Sequence, residues 1–121
     1  MEVLKTVDKA LIQQIADKIV EKFSPWRIIL FGSQAKGNSD ISSDIDLFIE
    51  MDTDKQPPER YIEVSRLFGL REWAMDIIIY TPDEVKRLRD IHGTLLSTIE
   101  SEGHILYDRR KNQLPSLDKK S

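Results

Sequence analysis

The most constraining feature of the sequence is a Gly-Ser pair that is followed, after ten residues, by an Asp-Ile-Asp triplet. Gly32 and Ser33 close one apolar run, and Asp44 and Asp46 open the next. If residues 44–49 form a strand, the two aspartates project to the same face. Like charges on one face repel each other and are costly to bury unpaired, so the pattern favours a shared divalent metal ion.

The Gly-Ser pair predicts a tight turn that opens a short helix ending near Lys36. Glycine permits a positive φ and lets the backbone approach a phosphate closely. Ser33 can cap the helix and offer its hydroxyl and N–H to nucleotide phosphates, while Lys36 can neutralise phosphate charge. Phosphoryl and nucleotidyl transfer require positioning and charge neutralisation. A phosphate cradle combined with paired carboxylates therefore predicts metal-dependent nucleotidyl transfer.

A third carboxylate, Asp76, interrupts the apolar run of the predicted strand 74–80. A charge is expensive there without a partner. If the strands that carry Asp46 and Asp76 are neighbours, three carboxylates converge. We expect Asp76 to bind metal or to take the proton from an attacking hydroxyl, and Ser43 to help orient Asp44.

The rest of the chain alternates helical and strand patterns, which predicts an α/β or α+β fold. Apolar residues at helical spacing before Ser24-Pro25 indicate an amphipathic first helix. Thr81 and Pro82 are typical of a helix start. Helices are predicted over residues 7–23, 57–73, 82–90 and 94–101, and strands over residues 26–31, 44–51, 74–80 and 104–107.

Composition excludes several classes of function. The chain has 121 residues, no cysteine and a net charge of −3. Disulfides and thiolate metal sites are therefore excluded, and an acidic balance argues against direct nucleic-acid binding. No apolar stretch reaches the roughly 20 residues of a membrane span, so we expect a cytoplasmic protein with no membrane partner.

One domain is predicted over residues 1–108, followed by a basic, flexible tail over residues 109–121. Glu50, Asp52 and Asp54 lie at the end of the predicted strand 44–51. We expect these three residues to form an acidic, solvated segment where the strand ends rather than to bind metal.

Two segments resemble the nucleotidyltransferase signature of the DNA polymerase β superfamily. They are Phe31–Gly37, which reads FGSQAKG, and Ser43–Leu47, which reads SDIDL. More narrowly, residues 10–107 resemble a minimal nucleotidyltransferase (MNT) domain, which implies a polymerase β-like fold with a small mixed sheet flanked by helices. Lys36 departs from the pattern, because family members often carry arginine there; the charge is kept, but the bidentate fork is lost.

The resemblance implies an ATP-using transferase that depends on two Mg²⁺ ions and moves AMP onto a hydroxyl. Stand-alone MNT proteins are often antitoxins that bind a helical HEPN ribonuclease toxin and adenylylate one of its tyrosines. Nothing of domain size follows the core, so we expect a bound partner to supply the acceptor. The implied metal ligands are Asp44, Asp46 and Asp76, and the implied nucleotide-binding residues are Gly32, Ser33, Lys36 and Ser43.

Two other functions remain open at this point. One is a small-molecule nucleotidyltransferase, of the aminoglycoside type, that acts with a helical partner subunit. The other is a non-catalytic antitoxin that neutralises its toxin by binding alone. The adenylylating antitoxin and the small-molecule transferase would each lose activity on Asp44→Asn or Asp46→Asn. A binding-only antitoxin with either change would still protect cells.

Overall fold

The described part of the chain alternates helices and strands, except that two helices follow each other directly after the third strand. The structure, a computed structural model, describes residues 8–36, 44–69 and 73–113, so that Ser43 and its predicted roles lie outside the described residues. The elements are α1 (Lys9–Phe23), β1 (Arg27–Phe31), α2 (Gly32–Lys36), β2 (Ile45–Glu50), α3 (Pro57–Arg66), β3 (Met75–Tyr80), α4 (Pro82–Arg89), α5 (Leu95–Glu102), β4 (His104–Asp108) and α6 (Arg109–Gln113).

Four strands form one mixed sheet in the order β3-β2-β1-β4. β1 is antiparallel to both β2 and β4, and β2 is parallel to β3. Parallel neighbours need a crossover connection, which here contains α3. The expected small mixed sheet flanked by helices is confirmed.

The two faces of the sheet pack against different helices. Ile45, Leu47 and Ile49 of β2 belong to a core that also includes the inner faces of α1 and α3. Phe48, on the other face, packs with Ile29 of β1 and with residues of α4 and α5. Because side chains alternate along a strand, Asp46 shares this second face with Phe48.

Within the described residues, the helix that the sequence predicts over residues 57–73 ends at Arg66, so this prediction is wrong at its C-terminal end. The N–H groups of Leu67, Phe68 and Gly69 bond to carbonyls only three residues earlier, at 3.1, 3.1 and 3.3 Å. This tightening and the positive φ of 56° at Gly69 end the helix. The other predicted elements agree within two residues at each end.

The first residues of the predicted flexible tail form the short helix α6. The Arg109 guanidinium lies 3.9 Å from the centroid of the Trp26 ring. The Arg109 N–H donates to the Trp26 carbonyl at 2.8 Å. These contacts hold the start of the segment against the chain before β1, while the division of the chain at residue 108 stays a prediction.

No helix among the described residues combines the length and the apolar character that a membrane crossing requires.

A buried network of ion pairs lies where β1 begins and β2 ends, at the end of the sheet far from Gly32. Glu50 is only 2% exposed. It accepts hydrogen bonds from Arg27 at 2.7 Å and from Arg110 at 3.1 Å. Arg27 also donates to Glu100, which is shared with Arg89. The expectation that Glu50 is solvated is therefore wrong, because its place on the inward face requires cationic partners.

We predict that Arg27→Met lowers the free energy of unfolding by about 3 kcal/mol, because it leaves the buried Glu50 short of a charge partner. Arg89→Met is the matched control. The Arg89 side chain is 55% exposed, so its loss should cost at most about 1 kcal/mol. Urea denaturation measures both values, and equal losses would contradict the role given to Arg27.

Candidate active site

Two predicted site residues, Asp46 and Asp76, lie side by side. In the parallel pairing of β2 with β3, Asp46 is in register with Asp76. Register partners in neighbouring strands point to the same face of a sheet. The structure thus brings together carboxylates that are thirty positions apart in the sequence.

Asp44 adds a third negative charge to this end of the sheet. It immediately precedes β2, and its side chain is exposed, as is that of Asp76. Burial raises the pKa of Asp46 above its ordinary value, and the charges of Asp76 and Asp44 raise it further. The three aspartates therefore form one electrostatic cluster.

The cluster is not a complete metal cage. Among the described residues, no three or more histidine, cysteine, aspartate or glutamate side chains are grouped so that they could hold a metal ion. Mg²⁺ is commonly bound by one or two carboxylates together with waters and substrate phosphates. The mutually repelling oxygens of Asp46 and its neighbours fit that donor chemistry when further oxygen ligands complete the set.

Gly32 leaves the space that the Asp46 carboxylate occupies. Its φ is 75°, and a Cβ built on it would lie 2.2 Å from Asp46 Oδ2. Phe31, the preceding residue, is the antiparallel register partner of Asp46. Glycine is thus required here both by the backbone and by the carboxylate. Sequence reasoning assigned Gly32 to phosphate approach and missed the contact with Asp46, which depends on the strand register.

The remaining predicted nucleotide-binding residues occupy different places. Ser33 is exposed at the start of α2, next to Gly32. Lys36 lies at the other end of α2, where its Nζ is 3.8 Å from Glu102 Oε1 and its side chain is 59% exposed. Their assignment to nucleotide binding stays a prediction.

The sequence matches the family described as Polymerase beta, Nucleotidyltransferase over residues 13–112. The chain belongs to the polymerase β nucleotidyltransferase family. The match confirms the expected membership, and the activity of this family is nucleotidyl transfer. No curated protein matches the sequence.

Solved structures of similar fold agree with this membership. A chain from Sulfolobus solfataricus, described as a candidate nucleotidyltransferase, superposes with a TM-score of 0.59 at 22% identity, covering 84% of this chain and 81% of the other. A chain from a toxin–antitoxin crystal structure with AMP-PNP has a TM-score of 0.56 at 18% identity, covering 88% of this chain and 92% of the other. At these identities the likeness shows the shared nucleotidyltransferase fold.

We predict that Gly32→Ala destabilises this nucleotidyltransferase by about 3 kcal/mol, because a strained φ is added to a clash with Asp46. Gly93→Ala is the matched control. Gly93 has a φ of 81° and no atom within 4 Å of a built Cβ, so its substitution should cost about 1 kcal/mol. Urea denaturation measures these losses in free energy of unfolding. Gly32→Ala should cost less in an Asp46→Ala background than in the wild type, and equal losses in the two backgrounds would contradict the contact.

The raised pKa of Asp46 predicts a pH-dependent stability in the absence of metal. Above the ordinary value of 3.8, the unfolded chain releases a proton that the folded chain still holds. The contribution of Asp46 to the free energy of unfolding is therefore fully present below pH 3.8. It is lost as the pH rises through the pKa of Asp46 in the folded chain. Asp46→Asn should therefore unfold at a higher temperature than the wild type near neutral pH, and the difference should disappear in acid.

Thermal denaturation in EDTA, from acid to near-neutral pH, measures the difference in midpoint between Asp46→Asn and the wild type. Asp54→Asn removes the same charge from an exposed position outside the cluster and is the control. A lower midpoint for Asp46→Asn near neutral pH would count against carboxylate repulsion at the site.

Proposed function

We propose that the chain is an MNT antitoxin that transfers AMP from ATP to a hydroxyl side chain, a tyrosine, of a cognate HEPN ribonuclease toxin and so neutralises it. The observation that carries the proposal is the pairing of Asp46 with Asp76 beside Gly32, at the turn that opens α2. Like charges placed together at a glycine turn suit a cation and a phosphate chain. Fold likeness to a chain from a toxin–antitoxin structure with AMP-PNP supports the antitoxin role.

The residues of α2 and β2 would bind the nucleotide. The backbone N–H groups at Gly32 and Ser33 and the Ser33 hydroxyl would donate hydrogen bonds to phosphate oxygens. Asp44 and Asp46, with Asp76 as a third carboxylate, would hold Mg²⁺. When bound, Mg²⁺ would neutralise the phosphate charge that repels an attacking oxygen.

In this proposal Asp76 receives the proton of the acceptor hydroxyl, and two observations support that role. β3 is an edge strand of the sheet, and the Asp76 side chain is exposed. The hydroxyl proton would pass to the Asp76 carboxylate as the oxygen bonds to the α-phosphorus. The bond from the α-phosphorus to the bridging oxygen breaks, and pyrophosphate leaves. An exposed edge carboxylate suits an acceptor that is presented by another protein.

The test is incubation of the purified protein with ATP and Mg²⁺, with and without the protein encoded by the neighbouring gene, followed by intact mass of both. We expect the neighbour to gain one or more AMP units. Asp46→Asn should lower the transfer rate by at least about a hundredfold, because it removes a charge that acts on the phosphates. Asp54→Asn, the matched control, should transfer at the wild-type rate.

Each result points to a different function. AMP on a tyrosine of the neighbour, absent with Asp46→Asn, supports the proposal. A stable complex with no mass change would favour neutralisation by binding alone. If no complex forms and neither mass changes, a small-molecule acceptor is favoured instead.

A further inference from the structure

The outer side of β3 carries backbone groups that the sheet does not use. Within the described sheet, β3 has a neighbour, β2, on one side only. The Ala74 carbonyl accepts the Ile45 N–H of β2 at 2.9 Å. Successive residues of a strand direct their backbone N–H and C=O groups to alternate sides. The backbone groups of Met75, Ile77 and Ile79 therefore point away from β2.

An arginine closes the C-terminal half of this outer side. Arg60 Nη1 donates to the Ile79 carbonyl at 3.1 Å, so this carbonyl points outward as the alternation requires. The Arg60 side chain is 7% exposed, and its guanidinium also donates to the Glu84 carboxylate at 2.8 and 3.2 Å. A strand added along β3 could pair with Ile79 only if this buried contact broke.

The N-terminal half is open on both sides of Asp76. Among the described residues, the outward N–H and C=O groups of Met75 and Ile77 have no backbone hydrogen-bond partner. On the site face, Ala74 and Asp76 are exposed, whereas Ile78 packs against the core beneath α4 and α5. β3 also lacks the lysine or proline that commonly blocks an exposed edge. We call residues 75–77 the open edge.

Free backbone groups at this spacing match an extended polypeptide. In an antiparallel pairing, two residues of an added strand would exchange hydrogen bonds with Met75 and Ile77, and the residue between them would lie opposite Asp76. Such a pair places its Cα atoms about 4.5 Å apart, with both side chains on one face of the sheet. The residue opposite Asp76 would therefore share the face that carries Asp46.

We infer that the acceptor protein binds by β-strand addition: an extended segment of it pairs with the open edge and places its hydroxyl residue opposite Asp76. Main-chain hydrogen bonds would supply affinity, and the side chain opposite Asp76 would receive the nucleotidyl group. The inference rests on the proposed function, since it names the surface that would hold the acceptor. It assigns binding to the backbone of β3 and chemistry to the aspartates, so the two are separable by experiment.

Two proline variants of β3 form a matched pair for the test. Ile77→Pro removes an outward N–H at the open edge, and Ile79→Pro removes one in the half that Arg60 closes. Both delete an isoleucine side chain of similar burial, 8% and 6% exposed. Neither interrupts the ladder to β2, because proline is tolerated where the N–H of an edge strand faces outward.

Calorimetry with the neighbour-encoded protein measures the dissociation constant of each variant. We expect Ile77→Pro to bind at least about tenfold more weakly than Ile79→Pro, because it removes a hydrogen bond made only in the complex. Equal affinities of the two variants would overturn the docking role of the open edge, as would a wild-type protein that does not bind the neighbour.

Hydrogen exchange of the wild-type protein tests the same contact without a substitution. In the complex, the Met75 and Ile77 amides should exchange at least about tenfold more slowly than in the free protein, because they become hydrogen-bonded in a strand pair. The amide of Asp54, an exposed residue outside the site, is the control and should exchange at the same rate in both. Unchanged exchange at Met75 and Ile77 in the complex would overturn the inference.

Asp76→Asn separates the open edge from the proposed function. It keeps the backbone, so the Met75 and Ile77 amides should still be protected in the complex, while AMP transfer should fall by at least about a hundredfold. If the wild-type amides are protected but no AMP is transferred, the docking edge stands and the proposed function fails. AMP transfer without protection of these amides would uphold the proposed function and overturn the docking edge.

Discussion

The position of β2 between an antiparallel and a parallel neighbour is the constraint on which the site depends. β2 carries two carboxylates on the same face, Asp46 at its start and Glu50 at its end, separated by roughly 13 Å. β1 and α6 supply arginines to Glu50. β3 supplies a second aspartate to Asp46. Among the described residues, one end of this strand thus carries a carboxylate paired with arginines, and the other end carries a carboxylate beside further aspartates.

An aromatic layer separates the two ends. Phe48 lies midway along β2 and is fully buried. Its ring contacts the Tyr80 ring edge to face, with centroids 5.6 Å apart, and the Arg27 guanidinium lies 5.7 Å from its centroid. Arg27 is therefore held in place by salt bridges to Glu50 and Glu100 and by the Phe48 ring. In the described part of the chain, the site end of this face brings Asp46 and Asp76 side by side, an arrangement that suits a bound cation.

Local patterns predicted much of this arrangement. Alternation along the predicted strand 44–51 led to the expectation that Asp44 and Asp46 share a face, and β2 itself begins at Ile45. Asp76 was identified because a lone charge in an apolar strand is costly, and it is in register with Asp46. Thr81 and Pro82 located the start of α4, where Thr81 accepts the Glu84 N–H at 3.2 Å. Each of these signals depends only on residues close together in the sequence.

Features that depend on distant residues escaped prediction. Glu50 looked solvated because its partners, Arg27 and Arg110, come from segments 23 and 60 positions away. The contact of Gly32 with Asp46 depends on strand register, which sequence periodicity leaves open. Lys36 was expected to face phosphate on charge alone, whereas its pairing with Glu102 depends on how α5 packs over β1.

The short helix α2 lies between the charged end of the sheet and the core beside α1. Ala35 is buried in the core beside α1, so α2 is held by packing as well as by its turn. Gly32 fixes the start of this helix, since a larger residue would collide with Asp46. A displacement of α2 would therefore alter the space beside the Asp46 carboxylate, so the packing of Ala35 also determines the shape of the site.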